Sequence, residues 1–103
     1  MTDAAPEGAA DASIGALRRT LPIANKRGLH ARAAAKFVRT AGQFDAAIRV
    51  SFKGQEVSGL SIMGLMMLAA GIGSEIELFC SGRQAAEAMA ALSALVESKF
   101  GED

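Results

Sequence analysis

The chain of 103 residues has few of the residues that mark metal-binding or disulfide-rich proteins. It contains one cysteine, Cys80, and one histidine, His30. A lone cysteine cannot form an internal disulfide, and the two side chains together offer a zinc ion one thiolate and one imidazole at most. The apolar residues that alternate around Cys80 predict a buried, inert strand residue. We therefore expect a reducing, cytoplasmic compartment and no metal or other cofactor.

Net charge and long apolar runs are also absent. Eleven basic and eleven acidic side chains cancel, which argues against capture of nucleic acid or of an acidic membrane surface by charge. No run of 18 apolar residues could span a membrane, and the N-terminus lacks the charged-then-apolar order of a signal peptide. We expect neither a nucleic-acid nor a membrane partner, and we expect partners to be recognised through a local patch.

Half of the residues are hydrophobic, but only five are aromatic, and all five are phenylalanine. The length fits one domain with one core, built mainly from Ala, Ile, Leu, Val and Met. Residues 1–16 are rich in alanine, include a proline and two glycines, and show no hydrophobic period. The sequence therefore predicts a disordered N-terminal tail over residues 1–16 and one folded domain over residues 17–103.

Hydrophobic periodicity predicts seven elements of secondary structure. Strands are expected over residues 17–23, 44–50, around 56–57 and over 76–80. Helices are expected over 31–41 and 61–70, and a last helix begins at Ser81 to Gln84 and ends before Gly101. Pro22 predicts that the first strand is either an edge strand or an irregular one, and Ser81 with Gln84 matches a capping box for the last helix. The apolar face predicted for that helix comprises Ala85, Ala88, Met89, Leu92, Leu95 and Val96. The element order predicts an α+β domain with a mostly antiparallel sheet covered by helices on one side.

The other face of this sheet is expected to meet water. Polar side chains alternate with apolar ones along the second and fourth strands, which is typical of a sheet with one solvated face. They are Asp45, Arg49, Glu75 and Glu77.

The only histidine stands where a loop turns into the first helix. A neutral imidazole is a competent nucleophile near neutral pH. The N–H groups of the first turn, including those of Ala31 and Ala33, lack intrahelical partners and with the helix dipole form a site for phosphate or another anion. The guanidinium of Arg32 is expected to bind the same anion. His30 is thus a candidate nucleophile aimed at an anion; the alternative is an ordinary structural or surface histidine.

The predicted second helix is apolar almost all round and begins at Ser61. Serine suits the N-cap position, where it is worth about 1 kcal/mol over alanine. Leu65 and Met67 are expected to be buried. Three further apolar residues belong either to the core or to a partner surface, to which methionine is suited because it is flexible and polarizable. They are Ile62, Met63 and Met66.

Two motifs carry a resemblance to a known family. The run Gly28-Leu29-His30-Ala31-Arg32, followed about thirty residues later by Ser61-Ile62-Met63-Gly64-Leu65-Met66, resembles HPr, the histidine phosphocarrier of the phosphoenolpyruvate phosphotransferase system. The similarity covers about residues 17–102. It implies an open-faced β-sandwich in the order βαββαβα, with a four-stranded antiparallel sheet and three helices on one face.

The resemblance also implies a function. A cytoplasmic enzyme I, charged by phosphoenolpyruvate, would phosphorylate His30, and the carrier would pass the group to a histidine of an enzyme IIA protein. In the family the acceptor atom is Nδ1. Arg32 and the amides of Ala31 and Ala33 would hold the phosphoryl group. The protein would then be a monomeric carrier that forms a transient phosphohistidine, and no enzyme in its own right.

The family pattern further implies a docking surface and a regulatory site. It places Ala35, Ile62, Met63 and Met66 on an apolar patch that contacts the partners. In some bacteria the serine that corresponds to Ser61 is phosphorylated by an ATP-dependent HPr kinase/phosphorylase. A phosphate dianion beside the patch would oppose docking through its charge and the cost of its desolvation.

Two departures qualify the resemblance. Ala33 stands where many HPr proteins have proline, and Arg27 stands where several have a smaller polar residue. Together with the C-terminal sequence of residues 99–103, these two departures favour the nitrogen-related regulatory branch of the family over the branch that serves sugar uptake. Two other functions stay open: a non-catalytic regulatory module that docks through Ile62, Met63 and Met66, and a small-molecule-binding α+β domain of another family, which the element order alone permits.

Overall fold

Residues 16–102 are described by the computed structural model. They form β1 (Leu17–Pro22), α1 (Ala31–Ala41), β2 (Ala47–Phe52), β3 (Gln55–Ser58), α2 (Ile62–Met67), β4 (Glu75–Ser81), α3 (Ala85–Glu97) and a closing 3-10 helix (Lys99–Gly101). This order confirms the predicted α+β arrangement. β2 begins three residues later than predicted, because Phe44 to Ala46 precede the first ladder pair, Ala47 with Ser81. The tail predicted over residues 1–16 lies outside the described residues, apart from residue 16.

The four strands form one antiparallel sheet in the order β1-β4-β2-β3. Because β1 and β2 both run antiparallel to β4, they run in the same direction, and the connection that contains α1 crosses the sheet between them. β1 is an edge strand, which is one of the two alternatives that Pro22 predicts. The start of α1 therefore follows the end of this edge strand after a short loop.

One face of the sheet packs against the helices. In the central strand β4, Ile76, Leu78 and Cys80 are fully buried, while the residues between them are more exposed. Burial raises the pKa of the Cys80 thiol to about 11, which agrees with the inert role predicted for it. The helices supply the other half of the core, with Ala33, Ala34, Phe37, Leu65, Leu92 and Val96 among its most buried residues. Leu95, predicted on the apolar face of α3, is only half-buried, and Ser93 is buried on that helix.

The opposite face of the sheet carries charged side chains, as predicted for Arg49, Glu75 and Glu77, whereas Asp45 lies in the loop before β2. Arg18 of β1 pairs with Glu77 of β4, and Arg49 Nη2 of β2 lies 2.8 Å from Glu56 Oε1 of β3. These partners stand on neighbouring strands, so the ion pairs cross the strand boundaries. None of the helices within residues 16–102 is both long and apolar enough to cross a membrane.

Helix α2 is shorter than predicted and ends at Met67. The chain turns at Ala69, whose φ is 55°, and the carbonyl of Ala70 accepts the N–H of Leu29 at 3.0 Å. A tertiary contact with the loop before α1 thus replaces the next turn of the helix. The burial predicted for Met67 is wrong: its side chain is 73% exposed, because Leu65 and Leu68 occupy the core side of this short helix.

The capping box predicted for α3 is also wrong. Ser81 is the last residue of β4 and pairs with Ala47 of β2. The N-cap of α3 is Gln84, which makes no capping hydrogen bond with its side chain. Its Oε1 instead accepts the N–H of Asp45 at 2.8 Å. The side chain therefore ties the start of α3 to the loop that precedes β2.

Candidate functional site

His30 is the N-cap residue of α1, in extended backbone geometry (φ −75°, ψ 177°), and its side chain makes no capping hydrogen bond. The first bond of the helix runs from the N–H of Ala34 to the His30 carbonyl at 2.8 Å. The amides of Ala31, Arg32 and Ala33 precede this bond and face the end of the helix where the dipole is positive. The predicted position of His30 at a helix start is confirmed.

The loop before His30 is held by Gly28 and the segment after α2. Gly28 has a φ of 63°, a region that favours glycine. A Cβ built on it would lie 2.4 Å from Ala70 O and 2.8 Å from Gly71 Cα. The chain can approach so closely only without a side chain, and the Leu29 N–H bond to Ala70 O depends on that approach. The position of His30 thus depends on a contact between two separate loops.

A carboxylate contacts the ring of His30. Glu102 Oε2 forms a hydrogen bond with His30 Nε2, and Glu102 Oε1 accepts from Asn25 Nδ2 at 3.2 Å. Asn25 is fully buried and also donates to Gly28 O at 2.8 Å. An ionised carboxylate can only accept, so a neutral ring next to it carries its proton on Nε2 and keeps the lone pair on Nδ1.

The charge of Glu102 is favoured by its neighbours. Burial of the carboxyl group opposes ionisation, but hydrogen bonds from His30 and Asn25 and the positive charges of His30 and Arg27 outweigh it and lower the pKa of Glu102. The side chains of His30 and Glu102 are 15% and 19% exposed. Solvent therefore has limited access to this contact.

The last turn of the chain brings Glu102 back to the helix start. Lys99, Phe100 and Gly101 all have positive φ values, of 59°, 57° and 74°. The Phe100 side chain is fully buried, and its carbonyl accepts from Lys36 Nζ of α1 at 2.6 Å. The buried ring and this bond hold the turn against α1, which makes Glu102 part of the site.

Basic residues surround the same site. A cavity of about 400 Å³ is lined by Lys26, Arg27, Arg32, Lys36, Gly101 and Glu102. Four cationic side chains thus line one cavity with the carboxylate that contacts His30, although the whole chain has no net charge. Arg32 lines this cavity together with Glu102, and its predicted binding of a phosphoryl group stays a prediction. Arg27 and Lys26 add charge that suits an anion.

Helix α2 presents the second group of predicted residues. Ser61 is its N-cap, and its Oγ accepts the N–H of Gly64 at 2.9 Å, so the capping prediction is confirmed. Three of the four predicted partner-binding side chains are exposed and the fourth, Ala35 of α1, is half-buried. The exposed three are Ile62, Met63 and Met66 at 40%, 68% and 38%. They form a surface patch rather than core.

The sequence reasoning missed Glu102 and Asn25 as parts of the site. Asn25 precedes the glycine of the histidine motif, and its amide could have been expected to brace that loop. The contact of Glu102 with His30 joins residues 72 positions apart, and no local pattern predicts it. Within residues 16–102, no group of three or more His, Cys, Asp or Glu side chains could hold a metal ion.

Comparison with known proteins gives the family. A family model, the PTS HPr component phosphorylation site, matches residues 17–98. Phosphocarrier protein HPr of Cupriavidus necator is 51% identical over 86 residues, or 84% of this chain and 97% of that protein. Phosphocarrier protein NPr of Shewanella violacea is 44% identical over 86 residues, or 84% of this chain and 94% of that protein.

A solved structure agrees with these sequences. HPr-C-His from Thermoanaerobacter tengcongensis superposes with a TM-score of 0.81 at 45% identity, covering 84% of this chain and 98% of that chain. Relatives named HPr and NPr both match. The assignment to the nitrogen-related regulatory branch therefore stays a prediction. The chain belongs to the HPr family of phosphocarrier proteins of the phosphotransferase system.

Proposed function

We propose that His30 is the acceptor of the phosphoryl group, which it takes from an enzyme I charged by phosphoenolpyruvate and gives to a histidine of an enzyme IIA protein. The contact between Glu102 and His30 Nε2 carries this proposal. It occupies one ring nitrogen and leaves the other, Nδ1, with its lone pair available for phosphorus. The carrier acts as a monomer in the cytoplasm, with no cofactor.

The transfer needs no base. Nδ1 donates its lone pair to phosphorus as the bond between phosphorus and its leaving group on enzyme I breaks, and no proton has to leave Nδ1. The amides of Ala31 and Ala33 and the guanidinium of Arg32 stabilise the charge on the phosphoryl oxygens. The same contacts let the group leave again, because they bind the oxygens and leave phosphorus open to in-line attack.

Phosphorylation by enzyme I and phosphoenolpyruvate tests this proposal. Wild-type protein should become an acid-labile phosphoprotein, and His30→Ala should not. The His30 side chain makes no capping bond, so this variant should keep its fold, which a thermal melt checks. Equal phosphorylation of wild type and His30→Ala would rule out the proposed acceptor.

Arg32 has a matched control on the same helix. Arg32→Ala should slow phosphorylation because a charge that binds the phosphoryl oxygens is lost. Arg39→Ala removes an arginine from the last turn of α1, about 10 Å further along the axis, and should leave the rate unchanged. Equal rates for the two variants would remove Arg32 from the phosphate site.

The apolar patch formed by Ala35, Ile62, Met63 and Met66 is proposed as the surface that docks both partners. Met63→Glu should raise the protein concentration needed for half-maximal transfer. Ile72→Glu is the control, since Ile72 is 59% exposed but follows α2 in a loop. If both variants transfer normally, the patch has no role. If the patch binds a regulatory partner and the His30→Ala variant still signals through that partner, the function as a non-catalytic binding module is better supported.

Ser61 is proposed as a regulatory phosphorylation site. Its Oγ already lies at the start of α2, where a phosphate would accept N–H bonds in place of the hydroxyl. The new dianion would stand next to Ile62 in the docking patch and weaken apolar contacts there. Incubation with HPr kinase/phosphorylase and ATP, followed by mass mapping, should locate the phosphate on Ser61. Modification at another residue would end this proposal.

A further inference from the structure

The geometry points to Glu102, braced by Asn25, as the positioning residue that selects the reactive tautomer of His30. This inference rests on the proposed function of His30 as acceptor. Glu102 Oε2 binds Nε2 of the ring, and Oε1 binds the Asn25 amide 3.2 Å away. With both oxygens occupied, the carboxylate has one orientation. A histidine held in this way by a carboxylate keeps its tautomer and its ring plane.

The turn that places this carboxylate contains residues in unfavourable backbone conformations. Lys99 and Phe100 have φ values of 59° and 57° in place of the usual negative values, a region that is unfavourable for residues other than glycine. The fully buried Phe100 ring and the bond from Lys36 Nζ to the Phe100 carbonyl hold the turn in place. Glu102 is therefore anchored on both sides: by the turn before it and by the two groups that its oxygens bind.

Asn25 fixes which oxygen faces the ring. Its Nδ2 donates both to Gly28 O at 2.8 Å and to Glu102 Oε1 at 3.2 Å, and it is fully buried. The amide can offer only a donor to the side chain at position 102. Whatever occupies that position must turn an acceptor toward Asn25 and present its other terminal atom to Nε2.

The carboxylate also compensates the charge that the reaction creates. When Nδ1 forms its bond to phosphorus, the proton on Nε2 stays in place and the ring gains a positive charge. Glu102 stays hydrogen-bonded to Nε2–H and offsets that charge. Lys26, Arg27, Arg32 and Lys36 line the same cavity as Glu102, and the positive charge of Arg27 helps to lower the pKa of the Glu102 carboxyl group. The contact between Glu102 and Nε2–H is thus kept both when His30 accepts the phosphoryl group and when it releases it.

The isosteric variant Glu102→Gln gives the sharpest test. The glutamine oxygen must accept from Asn25, so its NH₂ group faces His30 Nε2 and donates to it. Nε2 then becomes the acceptor, and the proton moves to Nδ1, the atom that has to attack phosphorus. Replacing the orienting carboxylate of a catalytic histidine by an amide selects the wrong tautomer in the same way. Glu102→Ala removes the contact without imposing this reversal.

Two measurements separate the role of Glu102 from that of His30. Nitrogen-15 NMR of the unphosphorylated protein at about pH 9 should show Nε2–H in wild type and Glu102→Ala, and Nδ1–H in Glu102→Gln. The rate of phosphorylation by enzyme I should fall by about 10- to 100-fold in Glu102→Gln and by less in Glu102→Ala. Glu97→Gln is the control, because Glu97 is 52% exposed and pairs with Arg19 at 3.7 Å.

The outcomes distinguish the positioning role of Glu102 from the proposed function of His30. If Glu102→Gln keeps the wild-type tautomer and rate, the positioning role is refuted while His30 can still be the acceptor. If the tautomer reverses but wild-type protein takes no phosphate on His30, the positioning role stands and the proposed function fails. If the tautomer reverses and Glu102→Gln is slower than Glu102→Ala, both are supported. A reversal without any loss of rate would refute the link to transfer.

Discussion

Replacing Gly28 with alanine should destabilise the fold and displace His30 from its position. Gly28 combines a positive φ of 63° with a close approach to another loop. A Cβ at this position would lie 2.4 Å from Ala70 O and 2.8 Å from Gly71 Cα. Both are backbone atoms, which cannot rotate away as the end of a side chain can. The loop before His30 and the segment after α2 must therefore separate.

The expected loss is the sum of three effects. A residue other than glycine in the left-handed region costs about 1 to 2 kcal/mol. Forced displacement of packed groups costs about 1 to 3 kcal/mol. Separation of the loops also removes the bond from Leu29 N–H to Ala70 O, worth about 1 kcal/mol. Gly28→Ala should thus lower the free energy of unfolding by about 3 to 6 kcal/mol, a large share of the usual 5 to 15 kcal/mol.

Two other glycines separate these effects. Gly54 also has a positive φ, 82°, but a Cβ there has no atom within 4 Å, so Gly54→Ala should cost only about 1 to 2 kcal/mol. A Cβ on Gly71 also meets nothing within 4 Å, and Gly71→Ala should be close to neutral.

Urea denaturation of the three variants, with equal m-values, measures these losses. Phosphorylation by enzyme I reports the displacement of His30, and it should slow in Gly28→Ala alone. If Gly28→Ala is no less stable than Gly54→Ala, the contact between the loops does not hold His30 in place.

Three further predictions concern other residues. Ser61→Ala removes the acceptor for the Gly64 N–H and should cost about 1 kcal/mol in urea denaturation; an unchanged midpoint would show that the cap does not contribute. Cys80, buried with a raised pKa, should resist a thiol reagent at pH 8 until the protein unfolds, and rapid labelling of folded protein would contradict its burial. The pKa of Glu102 is lowered in the folded protein. Its ionised form therefore stabilises the fold at a pH above its unfolded pKa of about 4.3. This contribution is lost as the pH falls through the lower pKa of the folded protein. The stability difference between wild type and Glu102→Gln should therefore shrink between pH 6 and pH 3, and a difference that grows would reverse the sign of the argument.

Much of the fold could be predicted from local sequence. Alternation placed Ile76, Leu78 and Cys80 on the buried face of a strand, because side chains two residues apart share a face. Helical spacing and Gly42 set the bounds of α1. The position of His30 at a helix start and the capping role of Ser61 follow from the residues beside them in the chain, and the structure confirms both.

Helix α2 shows where local rules failed. Its apolar residues continue past Met67, and periodicity extended the helix to residue 70. The structure ends it earlier because the Ala70 carbonyl bonds with Leu29 of another loop. The exposure of Met67 follows from this early end. The capping box failed for a related reason: Ser81 pairs with Ala47 in the sheet, and that partner is more than thirty residues away.

The sequence by itself determined the histidine motif, the helix that follows it and the cap at Ser61, because these depend on spacing along a few neighbouring residues. Only the tertiary structure decided what touches His30. Glu102 reaches its ring through a turn held by a buried phenylalanine and a lysine of α1, and Asn25 orients the carboxylate from another loop. Such contacts depend on where the whole chain folds in space, so neither periodicity nor a motif encodes them.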